Sequence, residues 1–242
     1  MSTLKSNVIE PATGTNLTLG ASGDTIDVTS DTLQLNTWKD SGGNTLFTSD
    51  GSGNLSSINS ALNIGGGPTL ILSQTASGSS SISFTSDIDS TYDKYMFVCL
   101  NINPATDEAH FEFQVNASGQ SGYNEVITST AFRAQHNQNG SSGQVGYRTD
   151  MDQAQGTSFQ RLVDTAGNGA DESSAGILYL FAPSSTTYVK HFYGRFSEYY
   201  YDDIMMDNFI AGYINVTAAI TDIQFKFSSG NFDGKIKMYG CR

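Results

Sequence analysis

The chain has 242 residues, enough for one large all-β domain or a small domain with an appendage, and in either case enough to bury a real core. Twelve basic residues against twenty-four acidic ones leave a net charge of −12, which repels phosphate backbones and anionic headgroups and excludes nucleic acid as an expected partner. No apolar run approaches the length that spans a bilayer, and the opening MSTLKSNVIEPATG lacks the apolar stretch of a secretory signal, so the chain is expected to be made and kept as a soluble protein without membrane insertion.

Over residues 1–66 the pattern is repetitive. NLTL, DTIDV, TLQL, NTLF, NLSSI and ALNI read as short alternating strands, separated by turn clusters such as GASGD, DSGGN and DGSGN. Each strand offers two or three apolar side chains, too few to offset a backbone ordering cost of roughly 1–2 kcal/mol per residue. One copy is therefore not expected to fold alone, whereas identical copies can pool their thin apolar edges on a symmetry axis. The reading is an intertwined β-rich oligomeric shaft, with Leu17, Leu19, Ile26, Val28, Leu33 and Leu35 as its oligomerisation core. DSGGN and DGSGN also resemble half of a calcium loop, but neither leads to the distal bidentate glutamate. They read as hairpin turns, and no metal or cofactor is expected.

Composition changes at GGGP, residues 65–68: all twelve tyrosines and every phenylalanine except Phe47 follow it. YDKYMFVCLNI is apolar on both faces and predicts a central strand covered on both sides. HFEFQV alternates, with Phe111, Phe113 and Val115 inward and Glu112 and Gln114 outward, and IQFKF does the same with Ile223, Phe225 and Phe227. With SISFTS, AGILYLFAP, TYVKHFYGRFSEYY, FIAGYINVTAAI and GKIKMYG there are at least eight strands and hardly a helical period. The prediction over 67–242 is an all-β, jelly-roll-like β-sandwich head.

Residues 134–175 are dominated by Gln, Gly, Ser, Asn and Asp, a composition of long exposed loops. Within them GQVGYRTD carries Tyr147 and Arg148, receptor contacts if the loops lie at a distal tip and solvated side chains if they lie along the side. Cys99 sits in an apolar run and Cys241 is next to last, so two free thiols and no structural zinc are expected.

LKSNVIEPATGTNLTLGASGDTI and NTWKDSGGNTLFTSDGSGNLSSINSAL resemble the N-terminal segments of fibre-like virion proteins of tailed marine bacteriophages, of the cyanophage and pelagiphage type. FTSDIDSTYDKYMFVCLNINPATD, SSTTYVKHFYG and IQFKFSSGNFDGKIKMYG are similar to a head domain in structural proteins of the same viruses. Together these runs cover most of the chain. The resemblance implies a non-enzymatic homotrimeric tail fibre on the virion exterior, assembled in the host cytoplasm. Residues 1–66 would anchor it to other virion proteins, and the head would meet a host cell-surface glycan or outer-membrane component. The alternatives are a capsid decoration or tail joint protein with no receptor role, and a glycan depolymerase.

A depolymerase needs two carboxylates facing one sugar at roughly 5–10 Å. Asp202 and Asp203 are adjacent, and on a continuing strand they would point to opposite faces. His110, His136 and His191 are scattered, and no serine or cysteine lies in a nucleophile-elbow pattern. Catalysis is not expected. Alternation along VKHFYGRFSEYY puts Phe192, Phe196 and Tyr200 on one face and Tyr193, Arg195, Tyr199 and Tyr201 on the other. Arg195, Tyr199, Tyr201 and Asp203 are thus candidates for a glycan platform, where aromatic faces stack on sugar C–H surfaces, or for subunit packing, the commoner use of such a face. Met205 and Met206, read as a loop, suit either.

Overall fold

The computed structural model describes residues 37–40, 42–53, 55–58 and 67–241. The expected oligomerisation core, Leu17, Leu19, Ile26, Val28, Leu33 and Leu35, lies outside the described residues. Backbone contacts divide the chain into two units, Met1–Ile64 and Gly65–Arg242.

In the first unit, β1 (Thr37–Lys39), β2 (Thr45–Ser49) and β3 (Leu55–Ile58) form an antiparallel meander. DSGGN makes the first turn: Asp40 Oδ1 accepts the amides of Gly42 at 2.9 Å and Asn44 at 2.8 Å, and Gly43 takes a φ of 83°, which glycine adopts without strain. DGSGN makes the second, with the Ser52 amide on Asp50 Oδ1 at 2.7 Å. Trp38 stacks on Phe47 at 5.8 Å. No described side chain of this unit is buried.

The second unit contributes β4 (Thr69–Ser79), β5 (Ser81–Phe84), β6 (Lys94–Pro104), β7 (Phe111–Ala117), β8 (Ile127–Asn137), β9 (Gly143–Tyr147), β10 (Ala154–Gly156) and β11 (Gln160–Arg161). It continues with β12 (Ser174–Phe181), β13 (Lys190–Tyr200), β14 (Ile204–Ile214), β15 (Ile220–Phe227) and β16 (Phe232–Cys241). Eight of these strands pair first with last and inward from there: β4 with β16, β5 with β15, β6 with β12, β7 with β11, all antiparallel. That nested pairing, split into sheets β4-β16-β6-β12 and β5-β15-β7-β11, is a jelly roll. The other five strands are insertions, and all join the first sheet. The result is a nine-stranded sheet, β10-β8-β14-β13-β12-β6-β16-β4 with β9 also on β8, facing a four-stranded one.

The core between the sheets is aromatic. Phe225 on β15 has the rings of Phe84, Phe97, Phe111 and Phe113 within 5.5–6.4 Å, and Phe113 meets Phe192 edge-on at 5.1 Å. Ile223, Phe225 and Phe227 point inward as the alternation predicts. Inward Gly176 is required by packing, because a Cβ there would lie 2.4 Å from the Phe196 ring.

Several expectations are corrected. β6 is covered on one face only: Tyr95, Phe97 and Cys99 are buried, while Met96 and Val98 are half-buried and Leu100 is exposed. Gln114 is fully buried, its amide donating to the carbonyls of Glu125 at 2.9 Å and Ser158 at 3.1 Å in loops that cover that face. Residues 134–175 are not a run of exposed loops. They contain the end of β8 and all of β9, β10 and β11, and they bury Leu162, Val163 and Ala166 in the core. FIAGYINVTAAI is not one strand but the end of β14, a bend and the start of β15. Cys99 and Cys241 are buried and unpaired.

Candidate functional site

Along β13 the side chains alternate strictly. Lys190, Phe192, Phe196 and Glu198 are buried, whereas His191, Tyr193, Arg195 and Ser197 are exposed. β13 and β14 pair over their whole lengths, from Lys190 with Ile214 to Tyr200 with Ile204. A three-residue turn, Tyr201, Asp202 and Asp203, joins them, and Asp203 closes it at φ 54°, a left-handed conformation that Asp tolerates better than most residues. SEYYYDDIMMDNF is therefore two strands and a tight turn. Met205 and Met206 lie on β14, not in a loop, with Met206 in the interior and Met205 exposed.

Because the strands are in register, outward side chains line up across the sheet. One row runs Lys237, Val98, Ile177, Arg195, Phe209, Phe132, Tyr147 over seven strands. The next runs Tyr239, Met96, Tyr179, Tyr193, Ala211. Phe132 and Phe209 stack at 4.8 Å with a 2° interplanar angle, and Tyr193 lies 4.9 Å from Tyr179. The Arg195 guanidinium sits over the Phe209 ring at 4.8 Å and donates twice to Asp207, from Nε at 2.9 Å and from Nη2 at 2.7 Å. Those bonds raise the Arg195 pKa, but the side chain is 66% exposed and the pair adds little stability.

Two shallow grooves open on this face, of about 480 Å³ between Tyr179, Tyr193, Arg195 and Asp207 and about 380 Å³ between His136, Ser173, Tyr199 and Met205. Beside them is a polar depression of about 530 Å³ lined by Asn137, Gln138, Asn139, Tyr199, Asp202 and Asp203. There the Tyr199 hydroxyl donates to Asp203 Oδ1 at 2.6 Å, which pushes its pKa up to about 12.

The structure thus brings Tyr199 and Asp203 together and places Arg195 nearby, with its guanidinium engaged by Asp207. Tyr201 is not on their face: it begins the turn, its ring lies 4.6 Å from that of Tyr200 at a tilt of 42°, and its amide donates to the Thr165 carbonyl at 3.3 Å. Asp202 and Asp203 are not separated by strand alternation, because both lie in the turn and line one depression. Tyr147 is 57% exposed on edge strand β9, with its hydroxyl on Asp152 at 2.5 Å. Arg148 is not simply solvated, since it bonds Asp150 through Nε at 2.9 Å and Asp164 through Nη2 at 2.9 Å.

That second bond belongs to a polar network beneath the added strands. Asp164, with 4% of its side chain exposed, also accepts from Arg133, and Arg161 lies 3.9 Å away. Burial opposes the charge on Arg148, but the Asp150 and Asp164 carboxylates outweigh it and raise its pKa. The Glu198 carboxyl, 2% exposed, accepts the amides of Asp164 at 3.0 Å and Thr165 at 2.8 Å and the Asn208 side chain at 2.6 Å. Its burial nevertheless raises its pKa above the ordinary 4.5. These acids hold residues 160–167 against the sheet through the bonds they accept.

Phe132, Val145, Asp207 and Phe209 were not legible as site residues. On β8 Phe132 is exposed and its neighbour Arg133 is buried, the reverse of the ordinary hydropathy rule. Comparisons with family models, with curated proteins and with solved structures return no match.

Proposed function

We propose that the chain is a non-enzymatic virion appendage, a homotrimeric tail fibre whose N-terminal unit attaches to other virion proteins and whose jelly-roll head meets the host surface. The observation that carries this reading is the contrast in burial. The described residues of the first unit bury no side chain, as suits a unit that completes its core with other chains, while the head encloses its own aromatic core. The part of the head best suited to a host glycan is the depression at the β13–β14 turn, where Asn137, Asn139 and Asp202 offer amides and carboxylates to sugar hydroxyls. Electron microscopy of the particle tests the role: a peripheral copy with a free head supports it, and a head enclosed by other virion proteins replaces it with a joint or decoration role. For the depression, Asn139→Ala with Asp202→Ala is expected to abolish adsorption to host cells while leaving the oligomer intact, and unchanged adsorption would remove the assignment. Because Asp202 and Asp203 share one depression, reducing-sugar release from host polysaccharide is the parallel assay. Release would make the head a depolymerase.

A further inference from the structure

The outer face of the wide sheet is electrically polarised. Among the described residues of the head, Lys190 is buried, Lys226 pairs with Glu112, and Arg133, Arg148, Arg161 and Arg195 are each within ion-pair distance of a carboxylate. Lys94, Lys235 and Lys237 are the cations left without a carboxylate partner, and all three project from β6 and β16 at one side of this face. At the opposite edge, on β9, the Tyr147 hydroxyl meets Asp152, while the β13–β14 turn presents Asp202 and Asp203 at a strand end of the middle of the sheet. Across the face from β6 to β9 the surface is apolar and partly open: Leu100, Phe132, Tyr193 and Met205 are 37–48% exposed, and Val145 reaches 74%.

We infer that this face is where copies of the head pack on one another, the lysine side of each copy against the carboxylate side of the next. Seven strands at about 4.8 Å spacing span about 29 Å, wider than one bound sugar and on the scale of a subunit interface. In a chain of net charge −12, three unmatched lysines gathered beside apolar side chains find their complement in another copy of the same chain. Unlike sides meeting head to tail close into a ring when the rotation between copies closes, and in a trimer three copies around an axis satisfy every side. β6, apolar on both faces yet covered on one, gains its second cover. The inference rests on the homotrimer of the proposed function but not on its attachment to a virion.

Sedimentation of residues 67–242, which enclose their own core, tests the contact. Lys237→Glu and Asp152→Lys are each expected to weaken self-association by about tenfold or more, and both changes together in one chain to restore it, since the reversed sides again match. Both side chains are half-buried, and Asp152 also holds the Tyr147 hydroxyl, so circular dichroism of each variant must first match that of the natural head before its association is read. A monomeric head, or no recovery in the double variant, overturns the inference. Hydroxyl-radical footprinting of the full chain separates its failure from that of the parent reading. Protection of Phe132, Tyr193 and Met205 in the oligomer is expected. An oligomer with these residues open to the radical overturns the face and leaves the trimer, whereas a monomeric full chain overturns both. Protection that arises only when host polysaccharide is added would assign the face to a ligand instead.

Discussion

Trp38 and Phe225 are both strand aromatics resting on a phenylalanine, but their surroundings differ in kind. Trp38, in the first unit, has one ring partner, Phe47, and remains 43% exposed. Phe225, in the second, has four rings around it and no exposed surface. The same antiparallel pairing satisfies the backbone in both places, so hydrogen bonding does not distinguish them. The difference is a second layer: the head folds one sheet over another, whereas a three-stranded meander has nothing in its own described residues to lie against.

The sharpest way to break this comparison is to empty the centre of the head. Phe225→Ala is expected to destabilise the second unit by about 3–5 kcal/mol, read as a shift in the denaturation midpoint by far-ultraviolet circular dichroism. Trp38→Ala should leave that transition where it was. Next in size, Asp164→Ala strands Arg133 beneath the sheet and should cost about 3 kcal/mol, again confined to the head transition. A loss under 1 kcal/mol would mean that the network is solvated and that residues 160–167 are held by Leu162 and Val163 alone.

A third experiment uses the fact that Trp38 is the only tryptophan. Its fluorescence reports the first unit by itself. If that unit draws its core from other copies, tenfold dilution should destabilise it by about 1.4 kcal/mol for each association step, while Phe225→Ala leaves this concentration dependence in place. A concentration-independent tryptophan transition would show that one copy suffices. The smallest effect is on pH dependence. Glu198 has a folded pKa above its ordinary 4.5, so its contribution is fully present below that value and is lost as the pH rises through the folded pKa. Glu198→Gln, neutral throughout, should therefore gain stability relative to the natural chain as the pH rises. A difference between the two that stays flat with pH would show that the buried carboxyl does not titrate differently in the folded and unfolded states.

How far the site could be read from the residues depends on which rule each stretch obeys. β13 keeps a period of two over its full length, so the outward positions of Tyr193 and Arg195 were legible. The turn was not: alternation ends where a chain reverses, and only the register of Tyr200 with Ile204 shows that Asp202 and Asp203 lie on one side. β4 and β8 were missed because TLILSQTASGS and ITSTAFRAQHN put polar residues on both faces. Gln114 was misplaced because its covering is largely polar, and one part of it, around Thr157 and Ser158, lies 43–44 residues away along the chain.

Local chemistry by itself determined that the chain is all-β, that Asp-Gly and Gly-Gly clusters are turns, and that the aromatic core begins only after residue 68. These follow from side-chain period and backbone sterics, which act within a few residues. Only the tertiary structure decided that the strands nest as a jelly roll, that five inserted strands widen one sheet alone, and that Arg148 is bound inward while Phe132 faces out. Those outcomes depend on which strands meet from distant parts of the chain, and the energy that selects them, apolar area removed from water by a partner strand or sheet, is not carried by any segment alone.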